Sequence, residues 1–369
     1  MYWMKERFFI LLLVVGFTVS LSAQTIRKYS NEFLSIGVGA EALGKGNAAI
    51  VNTSDAFSIY WNPAGMLHVK SDAQLSLMHS EYFAGIAKYD FGSVVIPHDT
   101  SAALGLGIMR FGVDDIPNTL YLIDANGNIN FDNIQSFSIA DYAFFLSYAR
   151  KLKITGLSAG GNVKVIYRRV GEFAHAWGFG LDAAVSYSHN RWKFAAVARD
   201  ITSTFNAWTY TLTQEEKDIF TITGNEIPQN GLEITLPKLI LGASRQFYFD
   251  AGKKFGFLPE VNFELTFDKM RNTLIKSDPI SIDPRMGFAC DYKKIVFLRA
   301  GVMNFQYVKD IYNFKHLNFQ PNLGLGVNIK NLFILDYAYT DIGNLSIALY
   351  SHVVSLTVNL HKNAKSTEK

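Results

Sequence analysis

Residues 30–67 read SNEFLSIGVGAEALGKGNAAIVNTSDAFSIYWNPAGML, and the interpretation of the whole chain starts from them. The stretch is rich in Gly and Ala, shows no strand periodicity, and is followed by a long series of alternating segments. Small residues allow an irregular backbone to turn tightly and to pack closely against a surrounding wall. We therefore predict that residues 24–72 form a small plug, or hatch, in the mouth of a membrane β-barrel.

The first 23 residues predict a secretion signal. Lys5 and Arg7 give it a positive start, and residues 8–19 form an apolar core too short to span a membrane and remain as an anchor. Small and polar residues end the apolar run, so cleavage after Ala23 is favoured over an N-terminal anchor helix. The chain is expected to leave the cytoplasm.

Composition narrows the class of the exported protein. Of 369 residues, 14% are aromatic and 18% are charged, and the mean hydropathy is only +0.09, which is too low for a bundle of membrane helices. The net charge of +3 is small and dispersed, so we expect no nucleic-acid partner. The single cysteine, Cys290, excludes an internal disulfide framework and a cysteine-based metal site.

Segments that alternate between apolar and polar positions begin at residue 73. In the clearest one, Phe179, Leu181 and Val185 share one face. Asp182 and Ser186 share the other face. A period of two with one apolar face predicts a strand whose two sides meet different environments. The same pattern recurs at residues 261–268, 322–329 and 354–360.

A transmembrane barrel explains these strands better than a soluble sandwich. Many are about ten residues long, which is unusual in soluble sheets, and their polar face carries charges such as Asp182 and Glu264. We predict an all-β fold of fourteen antiparallel strands over residues 73–360, an even number as in bacterial outer-membrane barrels. The predicted strand cores are residues 74–80, 86–95, 102–112, 139–150, 157–169, 175–189, 191–200, 236–247, 258–268, 283–292, 295–304, 320–329, 332–341 and 350–360.

Connection lengths predict the orientation of the barrel. The long connections, residues 113–138, 201–236, 269–282 and 306–319, all follow odd-numbered strands, and most of the connections after even-numbered strands are short. Short turns face the periplasm in bacterial barrels. We therefore expect the plug and a tail of residues 361–369 on the periplasmic side, and the protein in the bacterial outer membrane.

Several patterns resemble sites of chemistry but lack a required residue. Residues 39–46 nearly form a phosphate-binding loop, but Gly46 replaces the hydroxyl residue that binds magnesium. Residues 124–129 resemble a calcium loop, but Ile129 replaces the required glycine. The eight histidines show no metal-binding spacing. We expect no catalytic residue, cofactor or metal site, and no enzyme activity.

The candidate site residues lie in the predicted plug. A short helix capped by residues 53–55 is expected to end at Asn62, because Pro63 forces the preceding residue away from helical geometry. The Asn62 side chain can then bond nearby backbone groups, so the bend is either a simple helix terminator or a functional element. The hatch motif is Tyr60, Trp61, Asn62, Pro63, Ala64 and Gly65; the hatch glycines, expected at tight turns, are Gly37, Gly39, Gly44 and Gly46.

Three parts of the plug resemble a known family. Residues 27–34 (RKYSNEFL), 37–44 (GVGAEALG) and 60–65 (YWNPAG) are similar to the PorV/PorQ family of the Bacteroidetes, which is related to the FadL-like barrels that carry long-chain fatty acids. Glu41 and Lys45 depart from the residues that are common in that family. The resemblance implies a fourteen-stranded outer-membrane barrel with an N-terminal hatch in its lumen.

The resemblance implies two different functions. In the PorV branch the barrel docks secreted proteins in the type IX secretion system, and residues 113–138 and 201–236 would be the extracellular loops that contact them. This partner-docking role is the first expectation. The alternative is the role of the FadL branch, a passive channel for hydrophobic small molecules such as long-chain fatty acids, gated at Asn62, Pro63 and Ala64. In both, lipids of the outer membrane surround the barrel.

Overall fold

The computed structural model describes residues 30–123, 127–310, 312–340, 342 and 351–361. The predicted signal peptide, the start of the predicted plug at residues 24–29, and residues 362–369 of the predicted tail lie outside the described residues. Within the described part of the chain, no helix is long and apolar enough to cross a membrane.

Strands make up most of the described chain. They are β1 (Ala73–Tyr82), β2 (Ala87–Pro97), β3 (Ala102–Asn118), β4 (Gln135–Lys151), β5 (Leu157–Val170), β6 (Ala174–His189), β7a (Trp192–Arg199), β7b (Thr204–Tyr210), β8a (Gly231–Thr235), β8b (Lys238–Arg245), β8c (Phe247–Tyr248), β9 (Phe255–Thr266), β10 (Ser281–Tyr292), β11 (Val296–Lys309), β12 (Lys315–Ile329), β13 (Phe333–Thr340) and β14 (Ser351–Leu360). The helices are α1 (Ala40–Gly44), α2 (Ser58–Trp61) and α3 (Gln214–Ile222), with 3₁₀ turns at Glu32–Ser35, Pro63–His68 and Phe131–Asn133.

The strands form one closed antiparallel barrel. Each pairs with its neighbours in the sequence, and β1 pairs with β14, from Ala73 opposite Leu360 to Glu81 opposite His352. Strand β6 pairs with both β7a and β7b. On the other side, β7a pairs with β8b, and β7b pairs with β8a, so β7a and β7b are parts of one interrupted strand, and β8a and β8b are parts of the next. The barrel therefore has fourteen strands, and the predicted fold class is confirmed.

Alternation separates the two faces of the wall as predicted. Asp182 and Glu264 face the interior and are buried. Outward positions are apolar and exposed, as at Leu106 (57%) and Leu146 (54%), which lie opposite each other on β3 and β4. An apolar outer surface on a closed sheet is suited to lipid, because apolar side chains have no hydrogen bonds to lose when hydrocarbon surrounds them.

Two predicted loops are shorter than expected. The connection predicted at 306–319 is mostly strand, since β11 continues to Lys309 and β12 begins at Lys315. A register shift between Met303 and Gln306 disturbs the alternation there, which hid the strand in the sequence. A similar shift between Val113 and Ile116 lengthens β3, so the connection predicted at 113–138 spans only residues 119–134.

The connection predicted at residues 201–236 also carries structure of its own. It contains β7b, β8a and helix α3, and the strand resumes at Thr204 after an interruption. Helix α3 begins with a capping box, in which the Thr213 hydroxyl accepts from Glu216 N at 3.2 Å and the Glu216 carboxylate accepts from Thr213 N at 2.7 Å. Asp200 and Ser203 have φ values of 55° and 58°, which break the period of two and made the strand appear to end.

The described part of the predicted plug lies inside the barrel. We call residues 30–72 the N-terminal segment. Its side chains are mostly buried, and it packs against inward-facing glycines of the wall: a Cβ on Gly105 would lie 2.6 Å from Met66 Sδ, and one on Gly160 would lie 2.6 Å from Ala64 N. Such close approach to the wall requires residues without a side chain.

The apolar outer face predicts a lipid-facing position for Leu106. Replacing Leu106 with Arg should lower the free energy of unfolding in lipid bilayers by about 2–4 kcal/mol, because a guanidinium would enter hydrocarbon. Arg in place of Thr209, an outward residue near the end of β7b, is the control and should cost about 0–1 kcal/mol. Urea titration of protein in lipid vesicles measures both, and equal losses would contradict the assigned lipid band.

The packing of the N-terminal segment predicts a steric effect at Gly160. Gly160→Ala should lower the free energy of unfolding by about 1–3 kcal/mol, because the new methyl meets backbone that cannot rotate away. Gly92→Ala is a matched control on an outward strand position, where a Cβ lies at an ordinary 3.4 Å from Leu77. Urea unfolding in detergent micelles, followed by tryptophan fluorescence, compares them. A similar result for both variants would argue against tight packing of the segment.

Candidate functional site: the segment inside the barrel

Asn62 forms the bend that the sequence predicts. Its backbone is extended (φ −162°, ψ 98°), helix α2 ends just before it, and the 3₁₀ turn begins at Pro63. The Asn62 amide nitrogen donates to Ile50 O and to Ser186 Oγ, both at 2.7 Å, and its oxygen accepts from Ala64 N at 3.1 Å. One buried side chain thus joins two parts of the segment to strand β6.

The start of helix α2 differs from the prediction. The helix begins at Ser58, and no side chain caps its N-terminus. The Asp55 carboxylate accepts from Phe57 N at 3.0 Å instead, before the helix starts, and Ser58 Oγ donates to Asp55 O. The turn at residues 53–57 therefore has its own local bonds, which compete with a helix over the same residues.

The two aromatic residues before Asn62 meet an arginine of the wall. The Tyr60 and Trp61 rings pack edge to face with centroids 4.9 Å apart, and Trp61 Nε1 donates to Val38 O at 2.7 Å. The Arg199 guanidinium of β7a lies 4.4 Å from the Tyr60 ring centroid and 5.5 Å from that of Trp61, and it donates to Tyr60 O at 3.2 Å. A desolvated cation over aromatic faces contributes about 2 kcal/mol.

The hatch glycines lie where the backbone turns or touches the wall. Gly37 and Gly39 have φ values of 102° and 82°, a region that residues with a side chain rarely adopt. Gly44 faces Gly324 of β12, where a Cβ would lie 2.8 Å from Gly324 Cα. Gly46 lies equally close to the backbone of β11. The structure thus gives each hatch glycine a physical reason.

Charged residues tie helix α1 to the wall. The Glu41 carboxylate lies 3.0 Å from Lys45 Nζ and 2.9 Å from an Arg299 nitrogen, and Arg299 also contacts Asp336 at 2.7 Å. Burial alone would raise the pKa of Glu41, but the two neighbouring cations outweigh it and hold the pKa at about 2. The stabilisation from this lowered pKa is complete above about pH 4.5 and is lost only as the pH falls towards 2.

Wall residues also satisfy the backbone of the segment. Glu260 of β9 accepts from Val51 N and from the Asn52 amide, both at 2.8 Å. Asn162 of β5 donates to Ile59 O at 2.7 Å. Charges on the polar strand face are predicted to face the lumen, but no sequence motif distinguishes Glu260, Arg199 or Asn162. Their only sequence signal is a polar residue at an inward position of a strand.

A buried ionic cluster lies where strand β7 is interrupted. Lys164 Nζ is 2.8 Å from an Asp182 oxygen and 2.6 Å from an Asp200 oxygen. Asp182 accepts from Asp200 N at 2.9 Å, and Thr204 donates to the Asp200 carboxylate. Side chains therefore replace the strand pairing that the interruption removes. Among the described residues, no group of three or more His, Cys, Asp or Glu side chains is arranged to hold a metal ion.

Three cavities adjoin the start of the N-terminal segment. The outer cavity, about 500 Å³, is lined by Phe33, Ile36, Phe111, Arg168 and Trp208 among others. A side cavity of about 250 Å³ is lined by Ile36, Leu43, Tyr82, Phe83 and Met303, and a central cavity of only about 20 Å³ is lined by Asn31, Leu34, Tyr60, Lys164 and Arg199. All three lie between Asn62 and the end of the barrel that carries the long connections, as their lining by wall residues such as Asp182 and Tyr82 shows.

The outer cavity combines aromatic and charged groups. The Arg168 guanidinium lies 5.1 Å from the Trp208 ring centroid and 5.9 Å from that of Phe33. Arg168 also pairs with Asp141 at 2.8 Å and Glu233 at 3.3 Å, and Trp208 Nε1 donates to Glu233 at 2.7 Å. Arg168, Asp141 and Glu233 are therefore paired with one another, and the rings of Phe33, Phe111 and Trp208 line the same cavity.

Comparison with known proteins shows the fold and leaves the family open. No protein-family model matches the chain, and no curated protein sequence matches it. Among solved structures, it is similar to the Pseudomonas putida toluene transporter TodX (TM-score 0.55, 15% identity, covering 88% of this chain and 98% of that one). It is also similar to the CymD monoaromatic hydrocarbon channel (0.53, 14%, 89% and 98%) and to a Pseudomonas aeruginosa FadL homologue (0.51, 12%, 88% and 98%).

These similarities bear on each part of the predicted identity differently. They show a FadL-like fold, whereas membership of the FadL-like superfamily and a relation to PorV and PorQ stay predictions. The first two are described as a toluene transporter and a monoaromatic hydrocarbon channel, and the third as a FadL homologue. The chain has the fold of the FadL-like outer-membrane barrels, and this fold with its apolar outer face fits a location in the bacterial outer membrane.

Proposed function

We propose that the protein is a passive channel for hydrophobic small molecules, closed by its N-terminal segment. The observation that carries the proposal is the position of the three cavities. They lie on one side of the closed layer at residues 60–66, and they meet one another at residues 31–36. A small rearrangement of those few residues would join them into one chamber that faces the layer.

The lining of the cavities indicates the class of guest. Small-molecule sites are mostly apolar, with a few fixed polar groups that orient the ligand. The side cavity fits this description through Ile36, Leu43 and Met303, and the outer cavity combines the rings of Phe33 and Trp208 with charged groups. The central cavity adds Arg199, a cation with no carboxylate in salt-bridge contact among the described residues, which would suit the polar end of an amphipathic molecule such as a long-chain fatty acid.

The layer at residues 60–66 provides the barrier. Trp61, Asn62, Ala64 and Met66 are at most 1% exposed, and the wall glycines Gly105 and Gly160 let the segment pack directly against the wall. Passage of a guest therefore requires this layer to shift. The bonds of Asn62 to Ile50 and Ser186 hold it in place.

The docking function is not part of this proposal. Of the two expectations, only the channel has support in the cavities and in the descriptions of proteins with the same fold, which include monoaromatic hydrocarbon channels and toluene transporters. Capture of a protein partner by the predicted loops at residues 113–138 and 201–236 stays a prediction of the sequence alone.

The channel proposal predicts that Asn62 limits transport. Asn62→Ala, alone or together with Pro63→Ala, should speed the entry of toluene and of oleate into lipid vesicles several-fold, because three hydrogen bonds that hold the closed layer are lost. Ser186→Ala removes only the bond to the wall and should give a smaller increase. Uptake of labelled toluene and oleate by vesicles that contain each variant measures the effect.

Two controls make this experiment decisive. Asn328→Ala removes an asparagine of the same kind from an exposed turn, where it bonds only within the turn, and should leave uptake unchanged. Empty vesicles give the rate of unassisted diffusion. The channel function is wrong if no variant and no wild-type preparation exceeds empty vesicles for either compound.

A further inference from the structure

A large groove lies on the outside of the barrel wall, away from the lumen. Its volume is about 960 Å³, and the wall part is formed by β3, β4 and β5. We call it the outer groove. Its wall residues are Arg110, Ala140, Tyr142, Phe144, Tyr167 and Arg169; residues 171–173 and the start of α3 at Thr213 and Glu216 overhang it.

The parity of the strands shows that the groove faces the lipid. On β4, Tyr142 and Phe144 alternate with the buried, inward residues Ala143 and Phe145. The same outward face continues at Leu146, which is 54% exposed and apolar. The groove therefore begins where the lipid-facing apolar surface ends, at the end of the barrel that carries the long connections. A lipid molecule can enter the groove from the lipid-facing surface without leaving the membrane.

Aromatic rings form the floor of the groove. The Tyr142 and Tyr167 rings stack with centroids 6.3 Å apart. Trp177, outward on β6, continues the array with its ring centroid 4.6 Å from that of Tyr167. Tyr and Trp are typical of the interface between hydrocarbon and headgroups, because their rings have an apolar body and one polar group. A flat aromatic floor also suits the face of a sugar ring.

Two guanidinium groups lie beside this floor. Arg110 is the neighbour of Tyr142 across β3 and β4, and Arg169 is two residues beyond Tyr167 on β5. Arg169 donates its Nε to Gly171 O at 2.8 Å, and its two terminal nitrogens have no hydrogen-bond partner among the described residues. Planar guanidinium groups bind phosphate through paired hydrogen bonds, which makes arginine the usual residue for this recognition.

Carboxylates share the lining of the groove with the two guanidinium groups. Arg110 reaches Asp114 only at 3.4 Å and Asp90 only at 3.9 Å, both long contacts, and Lys88 lies 3.8 Å from Asp114. The Glu216 carboxylate already accepts from Thr213 N within the helix cap. Glu172 is the remaining acid in the lining. Arg169 is thus the cation with free donors, whereas Arg110 shares its donors with Asp114 and the Tyr142 hydroxyl.

We propose that the outer groove binds the phosphorylated headgroup of an outer-leaflet glycolipid, with its sugars over the aromatic floor and its phosphate on Arg169 and Arg110. The acyl chains would then follow Phe144 and Leu146 down the apolar wall. Lipid is the occupant that the geometry favours, because the groove is continuous with the lipid-facing surface. This inference is independent of what passes through the lumen.

The test measures lipid binding to the full-length protein in mild detergent. Native mass spectrometry would titrate the protein with bisphosphorylated lipid A, with lipid A from which the phosphates have been removed, and with bisphosphorylated lipid A in millimolar inorganic phosphate. The variants are Arg110→Gln with Arg169→Gln, and the control Arg245→Gln. Arg245 is also beside aromatic rings, 5.1 Å from those of Trp192 and Phe247, but at the opposite end of the barrel.

The expected result is a loss of affinity of about tenfold or more for the double variant and for dephosphorylated lipid A, with no change for Arg245→Gln. Equal affinity of the double variant and the wild type would overturn the proposal. Equal binding of the two lipids would also overturn it, as would full displacement by inorganic phosphate, which would indicate a site for free phosphate. The lipid comparison uses the wild-type protein, so it decides the question even if the double variant does not fold.

Discussion

The structure depends on one constraint: the irregular N-terminal segment must find hydrogen-bond partners for its backbone groups while the barrel wall encloses it. Residues 30–72 have little helix and no strand, and their short turns pair only part of their amide and carbonyl groups within the segment. A buried unpaired group costs roughly as much as a hydrogen bond contributes. The wall supplies the missing partners through inward side chains, as Glu260 does for Val51 N and Asn162 for Ile59 O. Such a wall must be polar inside even though it is surrounded by lipid.

The same constraint explains the mixture of residues on the inward face. Positions where the segment touches the wall backbone are glycines, as at Gly160 and Gly324, because any side chain would collide. Positions where the segment ends a turn carry a group that can reach it, as Arg299 reaches Glu41 and Ser186 reaches Asn62. Glycine and long polar residues therefore alternate on one surface, a composition that looks like a weak strand pattern but follows the shape of the enclosed chain.

The sequence predicted what depends on local geometry and missed what depends on position around the barrel. Fourteen strands followed from a period of two, and the bend at Asn62 followed from Pro63. The partner of that bend, Ser186, is 124 residues away, and its identity depends on the rotation of the segment in the lumen, which no local pattern records. Where a register shift interrupts the alternation, as between Met303 and Gln306, the local signal itself fails. The sequence then predicts a loop where the structure has a strand.

Free volume indicates which part of the segment can rearrange. Packed protein moves only where there is space for side chains to enter. Residues 44–66 have little, because they meet the wall backbone at contacts where even a Cβ would not fit, and Tyr60 alone among them lines one of the three cavities. Residues 31–36 adjoin all three cavities, so they can move without first displacing the wall. A guest that enters the outer cavity would therefore displace residues 31–36 first and reach Tyr60 and Arg199 next. The contact of Arg199 with the Tyr60 and Trp61 rings, and not the bend at Asn62, is then the first part of the closed layer that the guest meets.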